Sequence, residues 1–142
     1  MLSIFDLAQK IDDEQMKAHF ARYLAVLLCG LLETTVKTLV IEYSARTANP
    51  KSAAYCSSMV NGFRNPNCAK LKDLVGRFNA DWRKSLEEFL EGPTGSAVDS
   101  IKVLRDAVAH GRNHGTSLGD VIKYRDDIFK TVDFLEKLFD AG

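Results

Sequence analysis

Near the C-terminal end of the 142-residue chain, the stretch Leu104-Arg105-Asp106-Ala107-Val108-Ala109-His110-Gly111-Arg112-Asn113 gathers cations, an acid and a titratable imidazole. Such a group suits a phosphate. An arginine can clamp two phosphate oxygens and steady developing negative charge, and a histidine near neutral pH can take or give a proton. Together they are the minimum equipment for metal-free cleavage of RNA, in which the 2′-hydroxyl attacks phosphorus and the leaving 5′-oxygen needs a proton. One histidine is thin equipment for both transfers, but two subunits paired along this helix would bring two arginines and two histidines to one cleft.

Spacing refines the picture. Arg105 and His110 are five residues apart, which on a regular helix separates them by about 140° around the axis. Asp106 and His110 are four apart and share a face, so the carboxylate can hold the imidazole's orientation. Arg112, Asn113 and His114 follow just past the helix end and are candidates for substrate contact. The same residues also make an ordinary helix terminus, since Arg and His stabilise the negative end of the helix dipole and Gly111 is a natural stop.

The elements that must hold this stretch all read as helices. Ile4, Leu7, Ala8 and Ile11 keep helical spacing behind Ser3 and Asp6, which resemble a capping box. From Asp12 or Asp13 to Tyr43 an apolar stripe with a 3.6-residue period predicts the longest helix and the central pillar. Asn49-Pro50 ends it. A short helix over 51–60 follows, then a loop through Asn61-Gly62 and Asn65-Pro66-Asn67, with Asn67 as N-cap. The stripe from Leu71 to Leu90 makes one helix, or two divided around Asn79 to Asp81. Gly92 to Ser96 reads as a loop before the helix carrying Val98, Ile101, Leu104 and Val108. Ser117 with Asp120 forms a second capping box, opening the final helix. Short loops between amphipathic helices predict an all-α, antiparallel up-and-down bundle of five to six helices in one domain.

Composition narrows the function classes. With 46% hydrophobic and 27% charged residues the chain is globular rather than disordered. Its 19 basic and 19 acidic residues cancel, so nucleic acid must be met through a local basic patch. Cys29, Cys56 and Cys68 lack the paired spacing of a zinc site or redox dithiol, and the plain expectation is reduced thiols in a cytoplasmic protein with no metal. Met1 to Lys10 lack a basic segment before an apolar run, which argues against a secretory signal. The most apolar window, Tyr23 to Leu32, is too short to span a bilayer.

Other residues have two readings each. Glu33, an acid on the apolar central helix, can pair with Arg105 and hold it, or face solvent beside Lys37. Arg77, Arg83 and Lys84 near Trp82 resemble the basic and aromatic mixtures that bind single strands, although helical spacing places Trp82 with Phe78 and Leu86 in the core. Lys123, Arg125 and Lys130 alternate with acids and read as a solvated face.

The stretch Arg105-Asp106-Ala107-Val108-Ala109-His110 resembles the motif of the HEPN superfamily: an arginine, a polar residue, a few more residues, then histidine. Its place on a late helix before a long final one agrees, and the early apolar helix with Glu33 and Tyr43 is most similar to the RiboL-PSP branch. The resemblance implies a metal-independent endoribonuclease without cofactor, usually a homodimer with a composite site, serving as a toxin or in antiviral defence. It implies RNA as substrate, an antitoxin or defence-system protein as partner, and no membrane. His110 would be the acid or base and Arg105 the phosphate-binding residue, with Asp106 supporting their geometry. Inactive relatives bind nucleotides or partner with nucleotidyltransferases, so a non-catalytic binding module is the alternative.

Overall fold

The computed structural model describes residues 2–111 and 117–140, and these form seven helices with no strand among them. They are α1 (Leu2–Gln9), α2 (Glu14–Thr47), α3 (Pro50–Val60), α4 (Cys68–Phe78), α5 (Ala80–Phe89), α6 (Pro93–Ala109) and α7 (Leu118–Asp140). The all-α expectation holds. The helix count exceeds five to six because Asn79 divides the Leu71–Leu90 stripe. Its backbone is extended, and its side chain accepts from the amides of Asp81 and Trp82 while its own amide bonds Val75. One residue thus ends α4 and starts α5.

Local chemistry sets most of the other boundaries. Asp13 caps α2 by accepting from the Met16 amide at 2.8 Å, Asn49 caps α3 with Pro50 in its first turn, and Asn67 caps α4. Ser117 and Asp120 bond reciprocally at 3.1 and 3.3 Å, the expected capping box. Two expectations fail. Ser3 lies inside α1, which begins at Leu2, so it is not an N-cap. The segment Pro93 to Ser96 is helical rather than loop, because proline's fixed φ suits a first helical turn.

The core is built around α2. Its buried face runs from Ala21 through Leu24, Leu28, Leu32 and Val36 to Val40 and packs against α3, α6 and α7. By length and apolar composition this 34-residue helix is enough to cross a membrane, more than the ten-residue window implied. Its contacts within the bundle are those of a core helix.

Directions follow from end-to-end contacts. Arg46 donates to the Phe139 carbonyl at one end, and Glu14 and Lys17 share a cavity with Ser117 and Gly119 at the other. So α2 and α7 run the same way, a departure from strict alternation between neighbours. Arg105 is close enough for its charge to act on the Cys29 thiol, and the chain then reaches the level of Glu14 to Ala18 at Ser117. Helix α6 therefore runs antiparallel to both and carries its C-terminal end toward the N-terminal half of α2.

Candidate functional site

Helix α6 buries Ala97, Val98, Ile101, Leu104 and Ala107, which leaves Lys102, Arg105 and Asp106 partly open on its flank. The helix ends at His110, whose amide bonds the carbonyls of Asp106 and Val108. Gly111 then takes a φ of 67°, the left-handed conformation that the sequence anticipated as the stop. The imidazole of His110 is exposed on the last turn.

Asp106 is the junction of the cluster. One carboxylate oxygen bonds Lys102 Nζ; the other lies 3.8 Å from Arg105 Nη1. The hydrogen bond from Lys102 holds the Asp106 carboxyl below its usual range, and the charges of Lys102, Arg105 and His110 act in the same direction against partial burial. Asp106 thus stays ionised at neutral pH, between an arginine and a histidine that face different ways. Lys102 was missed by the sequence reading, although its i,i+4 spacing to Asp106 is a visible signal.

Arg105 itself is loosely held. Its contact with Asp106 is long, and its side chain keeps 35% exposure, so its guanidinium retains donors for another anion. The expected pairing with Glu33 does not form. Glu33 instead accepts from the Asn65 amide at 2.8 Å and lies 3.7 Å from Lys37, with 22% exposure. The physical reason lies in the loop: Asn65 sits at a φ of 49°, and its amide, turned away from any helix ladder, takes the carboxylate. The pairing with Lys37 was the competing expectation, but the carboxylate faces a loop rather than open solvent.

The charges of Glu33 and Arg105, with those of Asp106 and Lys102, all act on the buried thiol of Cys29. Burial is the main cause that pushes this thiol up, which leaves it uncharged under the charged cluster. The structure brings Arg105, Asp106 and His110 to one end of α6, while Glu33 on α2 holds the 61–67 loop through Asn65. Arg112, Asn113 and His114 lie outside the described residues.

A helical bundle with Arg-x4-His at the end of its penultimate helix defines a protein of the HEPN superfamily. Within it the chain belongs to the RiboL-PSP-HEPN family, whose model matches residues 1–141. No curated protein and no solved structure matches the chain. HEPN domains are frequently ribonucleases, and they commonly bind RNA and dimerise.

Proposed function

We propose that this protein is a metal-independent endoribonuclease of toxin or antiviral-defence type, acting in the cytoplasm. The observation that carries the reading is the combination at the end of α6: a loosely paired, half-open Arg105, an ionised Asp106 and an exposed His110. Arg105 binds the scissile phosphate and steadies its growing charge; His110 moves a proton to or from the reacting oxygens. Asp106 positions Arg105. Because Arg105 and His110 diverge on one helix, the complete site draws on a second copy of the chain across a two-fold axis.

A surface for that copy runs along α2. Met16, Tyr23 and Val26 are exposed apolar side chains on one side of the helix, continued by Gly30, where an added Cβ would meet nothing within 4 Å. Since α6 ends toward this half of α2, pairing there sets the two His110 residues near a common groove.

Incubating the protein with total RNA in EDTA, wild type beside His110→Ala, tests the reading. Cleavage by the wild type, with products ending in 2′,3′-cyclic phosphate, and its loss in the variant at unchanged melting temperature, is the expected result. Cleavage that survives His110→Ala, or that the chelator stops, removes the mechanism. Binding of RNA or a mononucleotide with no turnover would favour a non-catalytic module.

A further inference from the structure

A second cluster of cations lies outside the α6 site. Between the end of α3 and the face of α4 is a cleft of about 210 Å³, lined by Met59, Gly62, Phe63, Lys70, Asp73 and Arg77 among others. Lys70 Nζ is anchored on the Arg64 carbonyl at 2.9 Å, and Arg77 Nη1 rests against Met59 Sδ at 3.7 Å. Both cations are held at the cleft, so part of the ordering cost of binding an anion is already met by the fold. The cleft's acid offsets them weakly. Asp73 lies 4.0 Å from Arg77, while its other oxygen is drawn to Arg83 at 3.7 Å, and Arg77 keeps 62% exposure.

The third cation is Arg64, whose guanidinium binds the carbonyls of Asn61 and Phe63 and so adds charge to the loop at the cleft's edge. Phe63 supplies an aromatic ring, partly exposed. In a chain of zero net charge, three cations and one ring against a single shared acid is a local basic patch of the kind that nucleic acid requires. Its position matters as well. The loop that carries Phe63 and Arg64 is tied to Glu33 of α2 through the Asn65 amide.

We propose that this cleft binds a nucleotide unit of a single-stranded RNA, with phosphate on Lys70 and Arg77 and the base against Phe63, outside the α6 site. The proposal rests on the ribonuclease reading for the identity of the strand. The cleft then acts as a grip on the substrate, separate from the cut. Stacking on an aromatic ring tolerates any base, so the grip selects for unpaired strand rather than sequence.

The test uses the full chain with His110→Ala, so that substrate is not consumed, and measures anisotropy of a fluorescein-labelled single-stranded oligoribonucleotide across a salt series. Adding K70E and R77E should weaken binding roughly tenfold or more and reduce the slope of log K against log salt by about 2. Phe63→Leu, which keeps apolar bulk, should weaken binding with no change of slope. Reversing Lys123 and Lys137 on α7 makes the same charge change elsewhere and should do little. Equal losses for both double reversals, or no binding by the parent, would overturn the proposal. Cleavage absent from wild type alongside Lys70- and Arg77-dependent RNA binding would sink the nuclease reading alone. Cleavage present, with binding indifferent to these residues, would sink the cleft alone.

Discussion

At the scale of single residues, the most constrained groups are a carboxylate and two thiols. Asp106 has a folded pKa below its unfolded one, so its stabilisation is present above the ordinary carboxylate range and lost as pH falls through the lowered value. Asp106→Asn should therefore cost about 1 kcal/mol or less near neutral pH and progressively less as the pH falls below the ordinary carboxylate range, read by urea unfolding at neutral and at acid pH. Equal losses at both pH values would mean that packing, not charge, carries the effect. The thiols behave in the opposite sense. Burial, helped by Asp99, pushes Cys68 up to about 12, and burial also raises Cys29, so neither forms a thiolate at neutral pH. A thiol reagent should modify partly exposed Cys56 first and reach the other two only on unfolding; fast reaction of all three would contradict the burial. The sequence placed Arg105, Asp106 and His110 together because their contacts are local to one helix. It could not place Glu33, whose partner was decided by a left-handed residue 32 positions away.

At the scale of elements, the start of α6 is the least forgiving point. Gly95 packs so closely on the α5 end that an added Cβ would sit 1.9 Å from the Leu90 carbonyl oxygen. Backbone cannot yield as a side chain can. Gly95→Ala should cost about 2–3 kcal/mol and lower the melting temperature by roughly 6–12 °C, measured by calorimetry. Asn79→Ala removes the cap of α5 and should cost about 1–2 kcal/mol, a smaller drop in the same measurement. Caps such as Asp13, Asn67 and Ser117 were legible because each acts within three residues of itself. The Pro93–Ser96 turn was not, since proline and glycine there look like a loop until Leu90 is seen pressed against the backbone of Gly95.

At the scale of the whole molecule, the open face at Gly30 allows the proposed pairing of two chains to be tested apart from the fold of one. Gly30 sits mid-helix with free space around it, so Gly30→Arg leaves the lone subunit at least as stable, because glycine costs about 1 kcal/mol in a helix interior. Two chains packed along this face could not accommodate the arginine. Light scattering should report a dimer for wild type and a monomer for the variant, with RNA cleavage lost alongside; a dimer that persists puts the interface elsewhere. The parallel run of α2 and α7 escaped the sequence, because short loops suggest alternation and only the paired ends reveal direction. Those ends carry one more consequence. The single tryptophan of the chain, Trp82 on α5, meets Tyr43 of α2 and Phe139 of α7, with ring centroids 5.4 and 5.2 Å away. Phe78 of α4 completes the group. The emission of one indole thus samples four helices drawn from distant parts of the chain, and its colour and intensity make an intrinsic optical gauge of whether the last helix is seated.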